Sequence, residues 1–269
     1  MEVLRAGDAE VTIDHEHGGR LSSLLVGGHE LLVGDPGPGA DPMEWGCFPM
    51  VPWAGRIRRG RFTFEGREVQ LPIDLPPHAI HGTAYTRPWE RLGEGHLRCD
   101  LGPDWPWRGT VEQRIEVTPR SLTAVLQVDA LDAPMPVTVG WHPWLRRTVG
   151  GHAAALQLPA ERMWRRDDDG IPDGTLVDPT PGTWDDCFTA LVGPVEVRWP
   201  GVLALRIDSD CEHVVVFDEP AHALCVEPQS GPPDAHNSEE DLAVVVPGEP
   251  LVHHMIWTWE ADRGATPSA

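Results

Sequence analysis

Three short segments of the chain carry side chains suited to moving protons at a bound molecule. In Cys225-Val226-Glu227-Pro228-Gln229-Ser230-Gly231-Pro232-Pro233-Asp234-Ala235-His236-Asn237, a glutamate ends an apolar stretch just where prolines stop further strand pairing. Ala79-Ile80-His81-Gly82 and Val139-Gly140-Trp141-His142-Pro143-Trp144 have the look of strands that end in an imidazole. One carboxylate and two imidazoles on separate strand ends are the equipment of general acid–base catalysis. His142 is held extended because it precedes a proline, and Trp141 and Trp144 offer flat apolar faces of the kind that stack on sugar rings. The plainer alternatives are a glutamate paired with an arginine at a sheet edge and a core histidine bonded to a carbonyl.

Most other routes to catalysis are missing. The chain has no lysine, which excludes Schiff-base chemistry, a covalent pyridoxal phosphate link and a phosphate-loop lysine. Its five cysteines, Cys47, Cys99, Cys187, Cys211 and Cys225, are scattered and lack a Cys-x-x-Cys pair, against both a disulfide framework and a thiolate zinc site. His15-Glu16-His17 and His78-Ala79-Ile80-His81 have spacings open to a metal reading, but the first lies far in sequence from the other candidates, and no metal is expected. Arg56, Arg58, Arg59 and Arg61 form the only basic cluster, which either holds an anionic group or is mostly a solvent-facing strand edge.

The elements that must position these residues are strands. Arg61–Phe64 and Arg67–Leu71 flank Glu65-Gly66; residues 111–117 and 122–128 flank Thr118-Pro119-Arg120-Ser121; Val195–Trp199 and Leu203–Ile207 flank Pro200-Gly201. Leu242–Val246 and Leu251–Glu260 likewise flank Pro247-Gly248-Glu249-Pro250. No segment keeps a helical period over three turns, and 28 glycines and 28 prolines would break most helices. The reading is an all-β, antiparallel fold of stacked sheets in one domain spanning 1–269, with 265–269 frayed. Gly34–Pro42 is the longest irregular piece, either a cleft rim or a plain connection. A net charge of -21 disfavours nucleic acid and anionic membranes as partners. The polar first eight residues and the lack of a membrane-length apolar run point to the cytoplasm.

Taken in order from about residue 11 to 260, these segments resemble the aldose 1-epimerase (mutarotase) family, in its divergent His-Pro-aromatic branch. Pro52–Phe62 is similar to the family's Pro-aromatic-x-Asn-Arg-Ile-x-x-Gly-x-Phe segment, with Gly55 where asparagine is usual. Ala79–Gly82 and Gly140–Trp144 are similar to its two histidine motifs, Trp184–Phe188 to the segment that supplies a sugar-binding aspartate, and Glu227–Asn237 to its carboxylate motif. The resemblance implies a β-supersandwich with the site in a groove on one face, an aldose sugar as the small-molecule partner, and no cofactor. It implies Glu227 as general base at the C1 hydroxyl, His142 as general acid at the ring oxygen and His81 bonding nearby. Arg56 and Asp185 would hold sugar hydroxyls, Asp185 being chosen over its neighbour Asp186, and Trp141 would lie against the sugar. The rivals are a hexose-6-phosphate 1-epimerase using the arginine cluster and a sugar-binding protein without turnover. A glycosidase would need a second facing carboxylate.

Overall fold

Alternating segments between turn formers become hairpins over much of the chain, whose computed structural model describes residues 1–262; the tail expected to fray, 265–269, lies outside them. Arg61–Phe64 pairs with Arg67–Gln70, and Val195–Trp199 with Leu203–Ser209. Gly109–Thr118 and Ser121–Ala130 run longer than expected and close on a tight turn, Thr118 opposite Ser121.

One expected hairpin does not form. Ala243–Val245 pairs with Met135–Val137, whereas Leu251–Ala261 lies between Ser121–Ala130 and Leu203–Ser209. Both edges of the 251–261 strand are thereby occupied, so it has no backbone groups left for the segment that precedes it.

The strands build two large antiparallel sheets, one of 11 strands and one of 8. The larger runs in space through Glu2–Ala6, Ala9–Asp14, Arg20–Val26, Cys47–Met50, Gly140–Arg146, Ala223–Gln229, His213–Phe217, Asp185–Leu191, Ala160–Arg166 and Pro172–Val177, with His29–Glu30 beside Arg20–Val26. The smaller runs through Glu90–Gly93, His96–Asp100, Gly109–Thr118, Ser121–Ala130, Leu251–Ala261, Leu203–Ser209, Val195–Trp199 and Ala155–Gln157. Helix among the described residues is limited to Ala235–Ser238 and two short 3-10 turns, and none is long and apolar enough to cross a membrane.

A continuous apolar cluster joins the two sheets, with Trp141, Phe188, Leu224 and Val226 from the larger meeting Val111, Leu126, Val197 and Trp257 from the smaller. A second cluster of Phe48, Met50, Trp144, Ala223 and Cys225 belongs to the other face of the larger sheet, as strand alternation requires. All five cysteines are buried and free. The candidate site sits on that second face.

Candidate active site

Register decides which side chains meet. The pairing that sets Gly140 opposite Gln229 and Trp144 opposite Cys225 places His142 directly across from Glu227 on neighbouring central strands. On its other side His142 faces Phe48, and their rings stack at 4.8 Å. His142 Nε2 lies 3.2 Å from Glu227 Oε1, and Gln229 Nε2 donates to Glu227 Oε2 at 3.1 Å. Residues two apart on a strand share a face, so His142 brings Trp144 with it and Glu227 brings Gln229. The His142 and Trp144 rings stack at 5.4 Å, and Trp144 stacks in turn on His222.

The same alternation corrects the placement of Trp141. Its side chain points the other way, into the cluster between the sheets, with Nε1 donating to Gln113 Oε1. It is 1% exposed and does not line the cavity; Trp144 does.

His81 reaches the site from a second layer. Arg56–Ile57 pairs with Ala79–Ile80, and His81 N donates to Gly55 O. The chain then turns sharply: His81 has φ +61° and Gly82 φ +81°, and a Cβ on Gly82 would stand 2.0 Å from Val51 O. Only glycine fits there, and a left-handed histidine is a strained residue that its surroundings must hold. The His81 and His142 rings meet edge to face at 5.0 Å. Gly55, at φ +66°, also lines the cavity. Asparagine tolerates left-handed backbone better than most residues, but a Cβ here would stand 3.0 Å from Pro233 Cγ, so glycine suits this chain's packing.

Arg56 and Asp185 line the cavity as a pair, Arg56 Nη2 donating to Asp185 Oδ2 at 3.0 Å. Arg166 also bonds Asp185 and pairs with Asp186 at 2.7 Å, so Asp186 is committed to that ion pair while Asp185 faces the cavity. Asp234 accepts from Arg58 N and from Asn237 Nδ2, and its own N–H donates to Arg56 O. It is a clamp on the arginine segment. Arg58 is held by Asp167, Asp169 and Asp234, whereas Arg59 and Arg61 are exposed, and none of the three lines the cavity.

Burial dominates the electrostatics. It pushes the Glu227 carboxyl well above its ordinary range, helped by the charge of Asp185 and opposed by Gln229 and Arg56. It brings His142 down to about 3, with Arg20 adding to the effect. His81 is lowered well below its usual value by burial, then by His142 and Arg56. Each group taken singly therefore favours its neutral form.

Above this floor lies a cavity of about 560 Å³. Its rim includes Asp41, Met43 and Glu44 from the irregular stretch after residue 33, Phe217 from the end of His213–Phe217, and Glu219, Pro220 and His222 from the loop that follows. Part of Gly34–Pro42 is thus a rim, anchored by a buried guanidinium. Arg20 donates to the carbonyls of His17, Pro42, Trp45 and Tyr85 and lies 4.0 Å over the Trp45 ring. Sequence reasoning missed Gln229, Met43, Glu44, Phe217, Glu219 and His222 as lining residues. Period-two alternation from Glu227 would have found Gln229; the rim residues carry no motif.

Several buried polar atoms of lining residues have no partner in the protein: His81 Nδ1, His142 Nδ1, Trp144 Nε1 and Gln229 Oε1. Buried polar atoms left without a partner are uncommon in folded proteins. His81, His142 and Glu227 also offer ligand atoms within 4.8 Å of one another, a disposition open to a divalent cation, though the cation would have to displace the Glu227 proton. His15 and His17 join no such group among the described residues.

Known proteins are similar to this chain in sequence and in fold. Two uncharacterised Escherichia coli K12 proteins are similar in sequence: YphB, 27% identical over 78% of this chain and 82% of its own length, and YihR, 26% identical over 92% and 89%. Among solved structures, a galactose mutarotase-like protein from Clostridium acetobutylicum superposes with a TM-score of 0.83 at 16% identity, covering 96% of this chain and 94% of its own. An aldose epimerase homologue from C. elegans gives 0.81 at 15% identity, covering 96% and 97%. The fold is thus the antiparallel galactose mutarotase-like one. A sequence model of the aldose 1-epimerase family matches residues 3–189, and the chain belongs to that family.

Proposed function

We propose that the protein interconverts the α and β anomers of a free hexose by opening and reclosing the ring. The observation that carries this reading is the buried Glu227–His142 couple, 3.2 Å apart on the floor of a cavity roomy enough for a hexose. Glu227 takes the proton from the C1 hydroxyl while His142 gives one to the ring oxygen, and the C1–O5 bond breaks. The free aldehyde turns about the C1–C2 bond. Reclosure on the other face returns both protons.

The proton count supports this division of roles. Before opening, the couple carries one proton on His142; after opening it carries one on Glu227. Burial favours the uncharged arrangement, Glu227 protonated and His142 neutral. That arrangement and the reactive ion pair differ by one proton passed between facing atoms, so no proton need come from solvent. Arg56 and the C1 hydroxyl favour the carboxylate, and the neutral His81 can bond a sugar oxygen without competing for the proton. Trp144 supplies a flat face beside His142. Asp185 is bonded to two arginines, which makes it a poor second catalytic carboxylate for glycoside hydrolysis.

The test is anomer exchange by NMR on galactose and glucose. Glu227→Gln keeps the side chain's shape and removes the base, and is expected to slow exchange by about a hundred- to ten-thousand-fold with the melting temperature preserved. Exchange that persists at the wild-type rate in Glu227→Gln would sink the assignment.

A further inference from the structure

The mouth of the cavity has a sign. Asp41, Glu44 and Glu219 line it, with the arginine-paired Asp185 and the protonated Glu227 in the cavity below, and Arg56 is the only arginine or lysine among the lining residues. Arg56 is already bonded to Asp185. Glu44 and Glu219 are exposed and make no ion pair among the described residues. The three other arginines of the basic cluster are turned elsewhere, Arg58 to three aspartates and Arg61 to Gln70, while Arg59 stays exposed. That this is a ligand cavity rests on independent ground, the unpartnered buried atoms of His81, His142, Trp144 and Gln229 in its wall.

We infer that this mouth selects sugars by charge. An aldose bearing a protonated amine is taken in preference to its neutral counterpart, and one bearing a phosphate or sulfonate is turned away. Glu44 and Glu219 are the specificity-determining residues. The inference deepens the mutarotase reading and rests on it. A phosphate group entering this mouth meets carboxylates and finds no free guanidinium fork to replace its water. An ammonium group meets an attractive field, which the chain's net charge of -21 extends outward.

Anomer exchange on galactosamine, galactose and galactose 6-phosphate, at about pH 6.5 where the amine is protonated, tests this. Rates are taken after subtracting exchange without protein. In low salt the amino sugar is expected to exceed galactose in kcat/KM by about threefold to tenfold, and galactose to exceed its 6-phosphate by more than about tenfold. Both ratios should shrink toward one as added salt shortens the screening length. The double variant Glu44→Gln/Glu219→Gln should abolish the amino-sugar preference and relieve part of the phosphate rejection. Because each readout is a ratio within one protein, a general loss of activity cancels. The inference is overturned if the 6-phosphate turns over as well as galactose, or if the ratios are the same in wild type and double variant. If none of the three sugars exchanges faster than without protein, the mutarotase reading falls, and calorimetry with the same sugars then decides the charge question. Tighter amino-sugar binding that the double variant loses supports it; equal binding, or none, overturns it.

Discussion

In the proposed mechanism Glu227 and His142 share one proton, and that count has a consequence for pH. A second proton on the couple silences the base, and loss of the only proton silences the acid. The kcat/KM profile should therefore be bell-shaped. With His142 brought down to about 3 and Glu227 raised by burial, the acid limb should fall well below the ordinary histidine range and the alkaline limb well above the ordinary carboxylate range. A rate that instead follows a single ionisation near the usual histidine value, measured by NMR exchange across pH, would mean that the two groups titrate independently. The identities of Glu227, His142 and His81 were legible from their neighbours in sequence. Their contact was not. It depends on a register between strands far apart in the chain, and the prolines at 143 and 228 remove two of the backbone donors from which a register is ordinarily argued.

At the scale of the element, a strand's period of two sorts the tryptophans around His142. Trp141→Ala should cost about 3–5 kcal/mol of stability, visible as a lower melting temperature, because it empties a fully buried site between the sheets. Trp144→Ala should appear chiefly in KM, raised by about threefold to tenfold as a stacking face is lost. Thermal melts alongside exchange kinetics check both, and an inverted pattern would place the sugar against the wrong tryptophan. The sequence motif names both rings without saying which side of the sheet the ligand occupies, and that is why Trp141 was expected at the site. Hairpins with tight turns were legible for a related reason: their partners are local. The segment 243–245 was misread because its partner, 135–137, lies far back in the chain, and proximity in sequence favours the wrong mate. The irregular stretch after residue 33 had no pattern to read, since Arg20, distant in sequence, holds it at the carbonyls of Pro42 and Trp45.

Over the whole molecule, buried imidazoles tie stability to pH. His236 is brought down from 6.5 to about 4 by burial, against Phe62 and Trp105. Burial lowers His81 as well. Both must stay neutral in the fold, so their contribution is intact above pH 6.5 and is lost as pH falls toward about 4. For His236 this amounts to roughly 1 kcal/mol per pH unit across that window. The Glu227–His142 couple adds little there. At about pH 5 to 6 it holds one proton folded, and its two members hold one between them unfolded. His236→Met should accordingly remove part of the fall in melting temperature between pH 6.5 and about 4, a change read by calorimetry at several pH values; an unchanged slope would locate the acid sensitivity elsewhere. The five thiols carry a further consequence. All are buried, and burial holds Cys99 up at about 11 and Cys211 at about 12, with Cys47, Cys187 and Cys225 raised as well. With so little thiolate and no access, a thiol-reactive dye has nothing to attack until the sheets part. The rate at which the dye is consumed thus becomes a clock for the opening of the native state, five marks per molecule, and a tightly held sugar should slow it.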